Sequence, residues 1–197
     1  MTEKRRGQIE RATTETRIEL KLTLDGSGQY QVKTGIGFFD HLLSLFARHG
    51  FFDLEVSCGC DLGVDTHHCV EDVGICLGGT IDQALGDRTG ITRYGTSYVP
   101  MDQSLARVVI DLSGRSYLMF NADLKMERVG EFETELAQEF FRAVVDNSKM
   151  NLHIDLLRGT NGHHNLEAIF KAFGRALDQA SSLDKRLKGV LSTKGML

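Results

Sequence analysis

The sequence predicts an α+β fold of two pseudo-symmetric repeats, residues 1–92 and 93–197. Each repeat is a β-hairpin, helix, strand and helix, with the helices packed on mixed sheets and the two repeats forming one compact unit. Three observations carry this. Asp65-Thr66-His67-His68-Cys69-Val70-Glu71-Asp72 is answered 96 residues later by Asn161-Gly162-His163-His164-Asn165-Leu166-Glu167-Ala168, and the register persists through Gly78 and Gly174 to Asp82-Gln83-Ala84 and Asp178-Gln179-Ala180. Both copies carry apolar residues at three- and four-residue spacing, Val70, Val73, Leu77 and Ile81 in one and Leu166, Ile169, Phe173 and Leu177 in the other, the period of a helix with one buried face. Alternating apolar residues mark strands ahead of each helix.

In chain order, Ile18, Leu20, Leu22 and Leu24 alternate, Asp25-Gly26-Ser27-Gly28 turns, and Tyr30 and Val32 return, so residues 9–33 read as a hairpin with Glu15 at the head of its first long strand. Thr34-Gly35-Ile36-Gly37 opens a helix from Phe38 to Arg48 that carries His41 and ends at His49-Gly50. Leu54 and Val56 start a strand leading to the first His-His helix. The second half repeats the plan: a strand over Leu105–Leu112, a turn at Ser113–Ser116, a return strand over Tyr117–Phe120, a helix over Glu135–Val145, a strand at Leu152 and Ile154, then the second His-His helix. Pro100, the only proline, falls in the connection between halves. Ferritin-like bundles also turn His and Glu inward, but they need long helices and no strands.

The repeated motif has a metal-binding geometry. At about 100° per residue, His67 and Glu71 share one helix face while His68 points elsewhere. Two motifs related by a pseudo-twofold axis therefore complete each other, His67 and Glu71 with His164, His163 and Glu167 with His68. Four of the seven histidines sit in these motifs, and imidazole with carboxylate suits first-row transition metals. Aligning Leu54 with Leu152 sets His41 opposite Glu139, which adds one upstream ligand to each set: His67, Glu71, His164 and Glu139 for one ion, His163, Glu167, His68 and His41 for the other.

Composition excludes several classes. A formal charge of −4 argues against a broad nucleic-acid or anionic-membrane surface. No apolar stretch reaches membrane-spanning length and the start Met1-Thr2-Glu3-Lys4 is polar, so a cytoplasmic protein is expected. Cys58, Cys60, Cys69 and Cys76 contain no C-x-x-C pair and read as reduced, structural thiols.

The chain resembles the imidazoleglycerol-phosphate dehydratases nearly end to end. The resemblance runs through Thr34-Gly35-Ile36-Gly37-Phe38-Phe39-Asp40-His41, Asp65–Asp72, Arg93-Tyr94-Gly95, Pro100-Met101-Asp102, Asp111-Leu112-Ser113-Gly114-Arg115, His163-His164, Phe170-Lys171-Ala172 and Ser192-Thr193-Lys194-Gly195. It implies a single-function enzyme of histidine biosynthesis. Such an enzyme would dehydrate D-erythro-imidazoleglycerol phosphate to imidazoleacetol phosphate through the substrate imidazolate at a dimetal site. It implies two Mn(II) per subunit and a homo-oligomer of 24 subunits with active sites shared between chains. By resemblance Glu15 is the acid/base, and His49 lines the pocket with the eight ligands. Arg93, Arg115, Lys171, Ser192, Thr193 and Lys194 then contact substrate and phosphate, as guanidinium forks and a hydroxyl-rich loop can. Glu139 stands where some members have a histidine, and Cys69 where threonine is commoner. A metal-dependent hydrolase and a non-catalytic metal-binding shell are the competing readings.

Overall fold

The computed structural model describes residues 4–60 and 65–197; Met1–Glu3, most of the polar start, lie outside them. The first half comprises β1 (Arg6–Ala12), β2 (Thr16–Thr23), β3 (Tyr30–Lys33), α1 (Gly37–His49), β4 (Asp53–Cys60) and α2 (His67–Leu85). The second comprises β5 (Tyr94–Met101), β6 (Ser104–Asp111), β7 (Tyr117–Asn121), a small hairpin of β8 (Arg128–Val129) and β9 (Phe132–Glu133), α3 (Leu136–Ser148), β10 (Asn151–Arg158) and α4 (Gly162–Ser181). The sheets are ordered β1-β2-β4-β3 and β5-β6-β10-β7. This is the same topology twice in an α+β protein.

Both expected hairpins are corrected. β2 pairs with β1 and β4, not with β3, while β3 runs parallel to β4 on its far side. Likewise β6 pairs with β5 and β10, and β7 is parallel to β10. The segments read as turns are crossings that step over the place of an incoming strand, and a side chain at the head of that strand holds each one. The Asp53 carboxylate accepts from the Ser27 and Gln29 amides at 2.8 and 3.2 Å. Asn151, 98 residues on, donates its side-chain amide to the Arg115 carbonyl at 2.6 Å. Parallel pairing then follows because a helix, α1 or α3, makes the return. Pro100 is also relocated, from a connection to the edge strand β5, where a missing N–H leaves no ladder bond unmade on the open side.

Each sheet turns one face to its own helices. β2 alternates with Ile18, Leu20 and Leu22 buried beneath α2, and β6 does the same with Ala106, Val108 and Ile110 beneath α4. The helices then cross-pack between halves, α1 on α4 and α2 on α3. Phe39, Phe46, Phe140, Phe141, Phe170 and Phe173 are fully buried at this junction, with neighbouring ring centroids 5.0–5.4 Å apart. Two glycines allow the approach. A Cβ on Gly78 would stand 2.4 Å from the Val144 carbonyl oxygen, and one on Gly174 would stand 2.5 Å from that of Phe46. Gly174 follows Gly78 by 96 residues and Val144 follows Phe46 by 98, so both crossings use one solution.

Candidate active site

Cross-packing sets α1 against the first turns of α4, and there His41, His163 and Glu167 meet. Glu167 Oε1 lies 2.7 Å from His41 Nε2 and 3.1 Å from His163 Nε2, and Lys171 Nζ donates to Oε2 at 2.7 Å. Helical spacing explains the row, since His163, Glu167 and Lys171 follow one another at i, i+4 and i+8. Asn161 caps the helix by accepting from the His164 amide at 3.2 Å, which fixes where that row begins. The Phe38 ring walls one side, 4.8 Å from the His163 ring. Glu167 is only 6% exposed, and burial pushes its carboxyl up. The contacts from His41, Lys171 and His163 outweigh this and bring it down to about 2. The carboxylate is thus ionised at neutral pH. Two imidazole nitrogens and a carboxylate oxygen, all within 4.8 Å of one another, fit a first-row divalent metal.

The equivalent place in the first half holds His67 and Glu71, with Nε2 and Oε2 3.9 Å apart. Glu139 on α3, the register partner of His41, has its carboxylate 3.8 Å from Arg142 Nε. His68 turns away, as its helical angle requires, and sets Nδ1 3.4 Å from Glu15 and 3.7 Å from Asp65. His164 does the same in the second half, with Nδ1 3.3 Å from Gln103 Oε1 and 3.7 Å from Asp102. Among the described residues, the groups of three or more His, Cys, Asp or Glu donors that converge are His41–His163–Glu167 and Cys58–Cys60–Cys69. Within one chain, therefore, His68 stands apart from the first set, and His164 and Glu139 stand apart from His67 and Glu71.

Gln103 escapes the sequence reading, and Asp102 enters it only within Pro100-Met101-Asp102, with no role assigned. The available signal is that their turn precedes Ser104 at the start of β6 just as Glu15 precedes Thr16 at the start of β2. Asp102 takes a positive φ of 47°, which Asp tolerates better than most residues.

His49 closes α1, and burial together with the Lys171 and Arg175 charges holds its imidazole below the ordinary range. A separate cleft of about 690 Å³ collects Arg93, Arg115, Ser192, Thr193 and Lys194. Arg93 forms a fork on Asp111, 2.6 and 3.1 Å long, and also donates to the Leu191 carbonyl at 2.7 Å, so it ties the 190s segment to the sheet. Arg115 and Lys194 are exposed in the cleft.

The cysteines without a C-x-x-C pair nonetheless gather: Cys60 and Cys69 face each other across a Cα–Cα distance of 5.9 Å with Cys58 beside them, while Cys76 is buried apart. Alternation puts Cys58 and Cys60 on one side of β4, against the first turn of α2 that carries Cys69, so proximity in space replaces the absent C-x-x-C spacing.

Fold and donors together define a two-repeat α+β protein that presents imidazole and carboxylate groups from equivalent positions on its helices. The sequence profile of imidazoleglycerol-phosphate dehydratase matches residues 34–177. An imidazoleglycerol-phosphate dehydratase from Acetivibrio thermocellus is 57% identical over 98% of this chain and 99% of its own, and one from Heliobacterium modesticaldum is 60% identical over 95% and 96%. The crystal structure of the Staphylococcus aureus enzyme superposes with a TM-score of 0.83 at 45% identity, covering 91% of this chain and 99% of that one. The Pyrococcus furiosus enzyme, solved in complex with (S)-C348, also gives 0.83, at 32% identity over 96% and 100%. The chain belongs to the imidazoleglycerol-phosphate dehydratase family, and is a hydro-lyase. Among the described residues no helix is long and apolar enough to cross a membrane.

Proposed function

We propose that this chain dehydrates imidazoleglycerol phosphate to imidazoleacetol phosphate in cytoplasmic histidine biosynthesis, using two Mn(II) per subunit. The observation that carries the reading is the convergence of His41, His163 and Glu167 across the two halves in a member of this family. Bound there, Mn(II) would supply Lewis-acid polarisation of a nitrogen of the substrate imidazole.

The protein's own groups do the rest. Glu167 brings a fixed negative charge, with Lys171 holding its second oxygen. His41 and His163 present Nε2 toward one point. Glu15, exposed beside His68, takes a proton on a carboxylate oxygen and returns it elsewhere, as conversion of a C–H and a C–O bond to a ketone and water requires. Arg115, Ser192, Thr193 and Lys194 hold the phosphate, and Arg93 positions their segment. His67, Glu71, His68, His164 and Glu139 complete the sets when chains assemble, in the proposed 24-subunit particle.

The test is to supply imidazoleglycerol phosphate to Mn-loaded protein, follow the enol and ketone absorbance, and measure metal per chain. Ketone formation with two Mn per chain is expected. Release of inorganic phosphate without ketone would make the protein a hydrolase, and binding without turnover would make it a metal-storing shell.

A further inference from the structure

The turn between β1 and β2 carries Glu15 and hangs from a chain of hydroxyls. The Glu15 amide donates to Thr13 Oγ1 at 3.2 Å, and the Thr16 amide donates to the same oxygen at 3.0 Å. The Thr13 and Thr16 hydroxyls are 3.0 Å apart, and Thr16 Oγ1 donates to Asp72 Oδ2 at 2.5 Å. The other oxygen of Asp72 accepts from Arg11 Nε at 2.9 Å. Thr16 and Asp72 are 4% and 7% exposed, so the link is shielded from water. Asp72 directly follows Glu71 on α2. The backbone of Glu15 is therefore tied to the same helix that presents His67, His68 and Glu71.

The second half repeats the device with different residues. Ser104, at the start of β6, donates to Asn165 Oδ1 at 2.6 Å, and both side chains are buried. This tether holds the turn with Asp102 and Gln103 against the helix that bears His164. By repeat register Asn165 corresponds to Cys69, and Asp72 to Ala168. Where the first half places a cysteine, a poor acceptor, the accepting oxygen moves one helical turn along to Asp72. Where the second half has an alanine, Asn165 takes the role. The hydrogen bond persists while the residue that makes it changes place.

We propose that Asp72 and Thr16, with Thr13, are positioning residues that hold Glu15 in register with His68, and that Ser104 and Asn165 do the same for the Asp102 turn. The proposal rests on the reading of Glu15 as the acid/base. A misplacement of about 1 Å at such a group costs on the order of a hundredfold in rate.

The test compares Thr16→Val, Thr16→Ser, Thr13→Val, Glu15→Gln and the double variant Glu15→Gln/Thr16→Val in the Mn-loaded protein. Thr13 is exposed, so Thr13→Val breaks the link without burdening the core. The expected result is a fall in kcat of about ten- to a hundredfold for Thr16→Val and Thr13→Val, with KM and metal content unchanged. Thr16→Ser recovers most of the rate. The double variant is no slower than Glu15→Gln alone, because the tether acts through Glu15. Full activity in Thr16→Val and Thr13→Val beside a crippled Glu15→Gln overturns the tether and leaves the acid/base reading intact. Additive losses in the double variant also overturn it, since they assign Thr16 to the fold. Full activity in Glu15→Gln removes the acid/base reading and the tether with it.

Discussion

Replacing Glu167 with glutamine in metal-free protein isolates the electrostatic part of the site. The carboxyl falls from an ordinary 4.5 to about 2 through its contacts with His41, Lys171 and His163. Each pH unit of such a drop is worth about 1.4 kcal/mol, so these contacts, net of the burial that opposes them, contribute roughly 3 kcal/mol to the folded state at neutral pH. Because the folded carboxyl is depressed, that stability is complete above about pH 4.5 and is lost as pH falls toward 2. Glutamine keeps the size and one acceptor oxygen but has no charge to lose. Urea unfolding of the chelated parent and Glu167→Gln, at fixed protein concentration from neutral pH down to about pH 2, should therefore show a gap of about 3 kcal/mol that closes in acid. The comparison cancels the other depressed carboxylates, Asp25, Asp53, Asp87, Asp155 and Asp184, which titrate in both proteins. A gap equal at every pH would refute the electrostatic account and leave packing as the cause. No gap at all would mean that the three contacts do no more than offset the burial of the carboxylate.

Glu139→Gln should weaken one of two Mn(II) ions in a metal titration while Glu139→His stays close to the parent, since imidazole also suits this ion; identical affinities in all three would remove Glu139 from the ligand set. Gly78→Ala and Gly174→Ala should each cost about 2 kcal/mol net, the clash with a facing carbonyl outweighing the gain in helix propensity. Thermal and urea unfolding check this, and a cost at only one site would break the equivalence of the two helix crossings. Burial raises the Cys58 thiol to about 12 and that of Cys76 to about 11. Both should therefore react slowly with a thiol reagent at pH 8 in the folded protein and quickly once unfolded, and fast native labelling of either would contradict the burial.

The helices are readable because the repeat and the 3.6-residue period say the same thing about them. Strand order is not, because a period of two tells which face of a strand is buried and nothing about its neighbour. The pattern over Ile18–Leu24 is correct, yet the partner it suggests lies two strands away. β1 and β5 escape for a different reason. Each carries an inward glycine where an apolar residue would advertise a strand, and a Cβ there would strike a helix carbonyl, Thr80 for Gly7 and Ala176 for Gly95. Close strand–helix contact thus erases the signal that would reveal it. In the site, the periodicity of α4 aligns Glu167 with His163, and the repeat points to His41. The neighbours of the middle histidines are hidden, since Glu15 and Asp102 lie in turns whose place depends on the fold. Asp72 and Asn165 are hidden as well, because each holds a turn that is distant in sequence.

The His41–Glu167 contact joins residues 126 apart in the chain, and that separation sets an order of events during synthesis. The helix with His41 and the first His-His motif leave the ribosome well before α4 has been made. Only when α4 docks do His41, His163 and Glu167 share a point; before that the chain offers at most pairs of donors, such as His67 and Glu71 one turn apart on α2. On the metal role proposed above, the choice of ion would thereby wait for the last helix to dock.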